Sequence, residues 1–237
     1  MPRDQIVSVL VFALAAAVLP AGASVAQEPP PVVSGRVADS TDATLASVDL
    51  SQAVFAAGDA EAAVVARGDV FADSLAGAAL AGTTRPILYT TGGPDAALRP
   101  EVLAEVQRAV GPARGCDAAP DGEVLILGGT AAVSAAAEQQ LTAAGYCTRR
   151  FAGASRVETS VQIADAVLAR QAFAQDDPPP LLVSRDDNFA DAATGGAYAA
   201  LVGAPLVVTP TATLHPAVVD LLGRHNIGEA VLLGGEA

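Results

Sequence analysis

Four blocks of the sequence occur twice in the same order, and this duplication constrains the fold more than any other feature. Residues 65–73 (VARGDVFAD) return as residues 183–191 (VSRDDNFAD), which is an offset of 118. The other blocks begin at Arg85 and Ala204, at Leu98 and Leu214, and at Val124 and Ala230. The last offset is only 106, so the first copy carries about twelve additional residues. Ordered matches of this kind predict two copies of one structural unit.

Each copy alternates short apolar runs with alanine-rich segments. Residues 64–66, 87–90 and 124–127 are continuous apolar runs bounded by turn residues, which is typical of parallel strands buried on both faces. Residues 71–81 and 101–110 have the composition and length of helices. The pattern predicts a doubly wound α/β fold with tandem repeats of alternating strands and helices.

The ends of the chain set the predicted domain boundaries. Residues 1–26 have an apolar run with small residues before Gln27, which predicts a secretory signal peptide, and 27–35 form a proline-rich linker. We assign residues 36–147 to the first repeat and residues 148–237 to the second, which is predicted to be incomplete at its C-terminus. The apolar run is shorter than the roughly 20 residues that span a bilayer. We therefore expect a secreted protein with no membrane span after removal of the signal.

The charge balance restricts the class of partner. The chain has 26 acidic and 13 basic residues, a net charge of −13. Nucleic acid is excluded as an expected partner, because neutralising phosphates requires a basic face. An acidic protein can still bind an anionic polymer through a small, local group of arginines and helix N-termini.

The sequence contains two cysteines, Cys116 and Cys147. In an exported chain, two cysteines predict one disulfide, and a lone pair lacks the ligands of a structural zinc site. We expect this bridge to tie the additional residues of the first repeat to the end of that repeat.

Arginines are the candidate binding groups. Arg149, Arg150 and Arg156 form the densest basic cluster in the sequence, while Arg67 and Arg185 lie at equivalent strand ends. Guanidinium groups bind both oxygens of a phosphate or carboxylate, so these five residues are predicted to contact a polymer. Pairing of Arg156 and Glu158 with neighbouring residues of the repeats is an equally supported interpretation.

Acidic residues and glycines of the repeated blocks have two interpretations each. Carboxylates four residues apart could act in acid/base chemistry or hold a cation, but helix capping and the helix dipole already account for them. Glycine pairs after a strand could admit an anion or simply form a tight turn. The residues concerned, which we expect to be structural, are Asp69, Asp73, Asp187, Asp191, Gly128, Gly129, Gly234 and Gly235. No P-loop or nucleophile elbow occurs, so we predict neither cofactor, metal nor catalytic residues.

Four segments of the second repeat carry a family resemblance. Residues 150–159 (RFAGASRVET), 187–191 (DNFAD), 204–208 (APLVV) and 232–235 (LLGG) together resemble the cell wall-binding repeat type 2 family of Gram-positive surface proteins. The resemblance implies a Rossmann-like or toprim-like parallel sheet and tandem repeats that assemble as a threefold module. It also implies non-catalytic, non-covalent anchoring of an exported protein to anionic wall polymers at the cell surface. Val157 stands where the family pattern has a tyrosine, so no role of that ring is transferred.

Two other classes of function are compatible with the same residues. A solute-binding protein or enzyme of this fold would have its pocket at the carboxyl ends of the strands. A structural surface protein would assemble through the repeats without binding a polymer. Duplication of the arginine and aspartate motifs favours the anchoring module.

Overall fold

The computed structural model describes residues 37, 40–70, 72–170 and 178–235, and the predicted signal peptide and linker lie outside this part of the chain. Its first half contains α1 (Ala43–Val54), β1 (Ala63–Arg67), α2 (Ala72–Ala81), β2 (Ile87–Thr90), α3 (Pro100–Ala109), β3 (Val124–Leu127), α4 (Ala135–Ala143) and β4 (Thr148–Phe151). Its second half contains α5 (Arg156–Arg170), β5 (Leu181–Arg185), α6 (Ala190–Val202), β6 (Leu206–Thr209), α7 (Pro216–Arg224) and β7 (Ala230–Leu232). No helix in these ranges is long and apolar enough to cross a membrane.

The strands form two parallel sheets, as the sequence predicted. The first sheet has the order β2-β1-β3-β4 and the second has the order β6-β5-β7. In each sheet one strand pairs with two neighbours in the same way: Val65 of β1 pairs with Leu88 and Ile126, and Leu182 of β5 pairs with Leu206 and Val231. Strand β4 lies within the predicted bounds of the second repeat but pairs with β3 of the first sheet. The first sheet therefore includes a strand that the sequence assigns to the second repeat.

Local signals in the sequence explain where several helices begin. The carboxylate of Asp42 accepts hydrogen bonds from the backbone N–H groups of Thr44 and Leu45, at 2.8 and 3.1 Å, and so caps α1. Pro100 and Pro216 occupy the first turns of α3 and α7, where a missing N–H costs no helical hydrogen bond. The Ser155 hydroxyl accepts from the Val157 N–H at the start of α5.

Three apolar clusters account for the packing of the described residues. One lies between the first sheet and helices α1, α3 and α4, and another between the second sheet and helices α5 and α7. The third joins the two repeats, because α2 of the first repeat packs against α5 and α6 of the second. Leu80 of α2 lies in this joint cluster with Ile163 and Val167 of α5. The repeats thus share a core instead of resting on one another through polar surfaces.

The additional residues of the first repeat form the loop between α3 and β3, and the structure joins Cys116 to Cys147 by a disulfide. Beneath this loop lies the fully buried carboxylate of Glu123, which accepts N–H bonds from the backbones of Arg114, Gly115 and Cys147 and from the Arg114 side chain. Burial alone would raise the pKa of Glu123, but these donors hold it below its ordinary value. The disulfide and Glu123 therefore fix the loop from both sides.

Candidate functional site

The carboxyl ends of the first sheet form a cleft where the two repeats meet. Residues at the ends of β1 and β3 form one side, and residues before and at the start of α5 form the other, around a cavity of about 250 Å³. The lining residues are Arg67, Val70, Asp73, Gly128, Gly129, Gly153, Ala154, Ser155, Arg156 and Thr159. We call this the first cleft. It places two of the five predicted arginines, Arg67 and Arg156, in one site.

The second repeat has an equivalent cleft at the carboxyl ends of β5 and β7. Arg185, Asp191, Gly234 and Gly235 take the places of Arg67, Asp73, Gly128 and Gly129, around a cavity of about 580 Å³. We call this the second cleft. No described residue takes the place of Arg156 in it, so it is larger and more open on that side.

The strand-end arginines of both clefts are held by neighbouring carboxylates. Arg67 donates two hydrogen bonds to Asp69, both at 2.6 Å, and Arg185 donates two to Asp187, at 2.5 and 2.8 Å. The Arg67 hydrogen bonds hold the pKa of Asp69 below its ordinary value, and those of Arg185 lower the pKa of Asp187 to about 2. These acids therefore orient the arginines and offset part of their charge.

The second aspartate of each motif packs against a glycine. A Cβ atom on Gly128 would lie 2.6 Å from an oxygen of Asp73, and one on Gly234 would lie 2.6 Å from an oxygen of Asp191. Both glycines have positive φ, 90° and 115°, so the turn and the close carboxylate each require glycine there. Burial raises the pKa of Asp73, while the charges of Arg156 and Arg67 oppose the shift.

Helix capping by the first aspartate is not what the second repeat shows. The side chain of Asn188, not that of Asp187, accepts a hydrogen bond from the Ala190 N–H at the start of α6, at 3.0 Å. Asp187 instead pairs with Arg185, and Thr211 donates to it at 3.4 Å. The place of Asp187 just before α6 predicts that it caps this helix. The hydrogen bonds from Arg185, two positions earlier, hold its carboxylate instead.

Arg156 differs from the strand-end arginines because it forms no ion pair with the described residues. It is the first residue of α5, and its Nη1 donates to the backbone carbonyl of Asp186 at 2.7 Å. The nearby carboxyl group of Asp73 is partly buried, and burial raises its pKa. Arg156 is thus the predicted arginine with the most hydrogen-bonding capacity left for a ligand in the first cleft.

The structure does not bring Arg149, Arg150 and Arg156 together. Arg150 donates to Glu138 and to the carbonyls of Gly128 and Val133, all within 3.1 Å, which ties β4 to α4. Arg149 points to the other face of the sheet, where its guanidinium lies 5.1 Å from the centre of the Phe151 ring. Neighbours in a strand project to opposite faces, so the density of arginines in the sequence did not produce one site.

Two arginines that the sequence did not single out, Arg85 and Arg170, line a cavity with Arg149. They are isolated in the sequence, and only the packing of α5 against the first repeat brings them together, so no local pattern could have identified them. Among the described residues, no group of three or more His, Cys, Asp or Glu side chains is arranged to hold a metal ion.

This architecture defines a tandem α/β repeat protein whose equivalent clefts lie at the carboxyl ends of its two sheets. The chain matches the family described as Cell wall binding domain 2 (CWB2) over residues 23–138 and 150–237, and it belongs to that family. It is a cell wall-binding module, and this confirms the family resemblance found in the sequence.

Individual relatives agree with the family. The chain is 26% identical to the N-acetylmuramoyl-L-alanine amidase LytC of Bacillus subtilis (strain 168) over 166 residues, which are 70% of this chain and 29% of that protein. The solved structure of Cwp8 from Clostridium difficile matches with a TM-score of 0.67 and 29% identity, over 83% of this chain and 30% of Cwp8. Cwp6 from the same organism matches in fold, with a TM-score of 0.66, 20% identity, and coverage of 83% and 28%. The chain therefore spans less than a third of the length of these relatives.

Proposed function

We propose that this module anchors an exported protein non-covalently to an anionic polymer of the cell wall, and that the first cleft holds the polymer. The observation that carries the proposal is Arg156, which stands at the N-terminus of a fifteen-residue helix without a carboxylate partner among the described residues. The helix dipole and the guanidinium both favour an anion at this place. Arg67 lines the same cleft and adds a second cation.

The proposal includes a non-catalytic role and export. LytC is an amidase by name, but the chain corresponds to only 29% of it, so the similarity does not extend over that whole protein. The family match covers both repeats, which supports binding as the role of this region. We further propose residues 1–26 as the signal peptide, 27–35 as the linker, and 36–147 and 148–237 as the two repeats.

A pull-down on isolated cell walls tests the anchoring. The purified exported chain is incubated with walls before and after chemical removal of the anionic polymers. We expect binding to intact walls, loss of binding after stripping, and weaker binding at high salt, because the contacts are ionic. Equal binding to stripped walls would contradict the anionic polymer as ligand.

Variants locate the cleft within that assay. Arg156→Gln should weaken binding about tenfold, the usual consequence of losing hydrogen bonds to a charged partner. Arg224→Gln is the matched control, because it removes the same charge from α7, where Arg224 pairs with Asp165 and Asp220. If both variants bind equally well, the first cleft is not the polymer site. If the protein is instead a structural surface protein that assembles without binding a polymer, Arg156→Gln should leave its association with walls unchanged.

The implied threefold assembly has structural support in the way the two repeats pack. The contact is not reciprocal: Leu80 of α2 is buried against α5, whereas its equivalent on α6, Tyr198, is 52% exposed. The helices cross at equivalent positions, since a Cβ atom on Gly196 would lie 3.2 Å from that of Ala78. A non-reciprocal interface leaves one unused face on each side, which either closes into a ring or continues.

Both unused faces are visible in the structure. On the first repeat, a groove of about 680 Å³ between α1 and β2 is lined by apolar side chains that include Leu50, Val54 and Ile87. On the second repeat, Tyr198 is exposed, and the buried hydroxyl of Ser184 beside the open second cleft has no hydrogen-bond partner in the described part of the chain. We infer that a repeat of a second copy occupies these faces in a trimer-like assembly.

Light scattering measures this association. We expect the mass of the wild-type chain to rise with concentration, and Leu50→Glu or Tyr198→Glu to hold it at the monomer, because each places a charge in an apolar contact. A wild-type mass that stays monomeric at all concentrations would reject self-association while leaving wall binding by the first cleft intact.

A further inference from the structure

Three arginines surround another cavity, separate from both clefts. It lies at the end of the first sheet opposite the first cleft. The cavity measures about 260 Å³ and lies among Arg85 after α2, Arg149 on β4 and Arg170 at the end of α5. Its apolar wall consists of Leu80, Leu125, Phe151, Ala166 and Ala169. We call it the three-arginine pocket. Three cations that converge in a chain of net charge −13 require a physical reason.

Part of the reason is structural. The carbonyl of Leu80, in the last turn of α2, accepts a hydrogen bond from Arg170 at 2.6 Å and a longer one from Arg85 at 3.4 Å. Cations are favoured at a helix C-terminus, where carbonyl groups lack partners. Each bond occupies only one donor of its guanidinium, and a guanidinium has five. The capping role therefore leaves most of the hydrogen-bonding capacity unused.

The acids close to the pocket in the described part of the chain neutralise it only in part. Glu61 pairs with Arg85 from outside the lining. Asp121 belongs to the lining, but it lies 3.8 Å from Arg149 and its side chain is 98% exposed. Arg170 forms no ion pair with the described residues, and its hydrogen bond goes to a neutral carbonyl. Partial burial lowers the pKa of Arg170, and the charge of Arg85 lowers it further. Among the described residues, the lining therefore has three arginines and one carboxylate, that of Asp121, and Arg170 has no acid partner there.

We propose that the three-arginine pocket binds a phosphate-type oxyanion. Arg149 and Arg170 hold it, and the more deeply buried Arg85 adds a third positive charge to the lining. Planar guanidinium groups match two oxygens of a phosphate at once, and an apolar wall strengthens the attraction by lowering the local dielectric constant. The cavity has room for several water molecules and so for a phosphate group. This inference goes beyond the proposed function, because it assigns a site separate from the first cleft.

Titration with inorganic phosphate tests the site in the exported chain with its disulfide intact. We expect the side-chain Nε–H NMR signals of Arg85, Arg149 and Arg170 to shift together and saturate. Arg149→Gln should raise the phosphate dissociation constant about tenfold without affecting folding, because Arg149 is half exposed and makes only a long ion pair and a contact with the Phe151 ring. Arg170→Gln should do the same, with circular dichroism to confirm that it folds.

Control variants distinguish phosphate binding at a specific site from a general effect of the net charge of the protein. Arg224→Gln removes one positive charge elsewhere and should leave phosphate affinity unchanged. The inference fails if the three arginine signals do not move, or if Arg224→Gln weakens binding as much as Arg149→Gln.

The wall pull-down identifies the source of the phosphate. If Arg149→Gln weakens both phosphate and wall binding, the oxyanion belongs to the wall polymer. If it weakens phosphate binding alone, the ligand is free phosphate. Arg156→Gln distinguishes this site from the first cleft, because it should reduce wall binding without moving the Arg149 and Arg170 signals.

Discussion

Helices α1 and α5 occupy the same place in the two repeats, but only α5 is covered. Ser47 and Ser160 establish the equivalence, since each hydroxyl accepts a hydrogen bond from the backbone of the second strand of its sheet, from Tyr89 at 3.0 Å and from Val208 at 3.1 Å. On that alignment Leu50 corresponds to Ile163. Leu50 is 53% exposed, whereas Ile163 is fully buried. Both positions carry large apolar side chains, so the neighbouring helix α2, and not the sequence at this position, decides which of the two is core.

The same contrast holds between α2 and α6. Leu80 is 2% exposed under α5, and its counterpart Tyr198 projects from the surface. The internal features of the two helices are nevertheless alike, since Gly77 packs against Leu127 and Gly195 packs against Leu233. Contacts inside a repeat are therefore duplicated, and contacts between repeats occur once.

The largest expected difference is between Ile163→Ala and Leu50→Ala. Ile163→Ala should lower the free energy of unfolding by about 4 kcal/mol, because it empties a fully buried position in the core shared by the repeats. Leu50→Ala should change it by less than about 0.5 kcal/mol at low protein concentration, as is usual for exposed positions. Urea denaturation of both variants measures the difference. Equal losses would show that Leu50 is covered in solution.

The disulfide is a feature that only the first repeat has. Replacing both Cys116 and Cys147 by serine should lower the free energy of unfolding by about 3 kcal/mol, because the bridge closes a loop between residues 31 apart and restricts the unfolded chain. Denaturation of the double variant and of the reduced wild-type protein should give the same value. If the loss is negligible, the buried Glu123 network fixes the loop without help from the bridge.

The sequence was sufficient to predict the α/β class and the repeats, because both depend on signals that are local or repeated. Apolar runs identified the strands, Pro100 and Pro216 marked helix starts, and the offset between copies gave two α/β units. The pairing of β4 with the first sheet was not anticipated, because a parallel strand has no local mark of its partner. Sheet order is a property of the assembled chain.

The candidate site was less predictable than the fold for the same reason. Arg67 and Arg185 were correctly placed at strand ends because the repeat carries them there. Arg149 and Arg150 are adjacent in sequence but lie on opposite faces of β4. Arg85 and Arg170 meet only because α5 packs on the first repeat. Sites built across the repeat interface leave no spacing pattern in one sequence.

Glycines inside the equivalent helices should give a smaller difference. A Cβ atom on Gly77 would lie 2.2 Å from Leu127, which is fully buried, so Gly77→Ala should destabilise by about 1–2 kcal/mol after the gain in helix propensity. Gly195→Ala brings the same clash with Leu233, but Leu233 is only partly buried and can move. We expect a change of less than about 0.5 kcal/mol for Gly195→Ala by thermal unfolding. A larger cost there would show that Leu233 is held as tightly as Leu127.

The smallest expected effect concerns the acids of the two clefts and is measured as a pKa by carboxyl NMR. Asp187 should titrate at about 2 because Arg185 holds its charged form, and Arg185→Gln should return it towards the ordinary 3.8. A lowered pKa in the folded protein means that this pair stabilises the fold fully above pH 3.8, and the contribution is lost as the pH falls through about 2.

The pKa of Asp73 should shift in the opposite direction. Burial raises its pKa, so its contribution falls as the pH rises above 3.8, and Arg156→Gln should raise the pKa further by removing an opposing charge. If Asp73 titrates below 3.8, the carboxylate is paired more closely with Arg156 than the structure shows, and Arg156 has less capacity for a ligand than we propose.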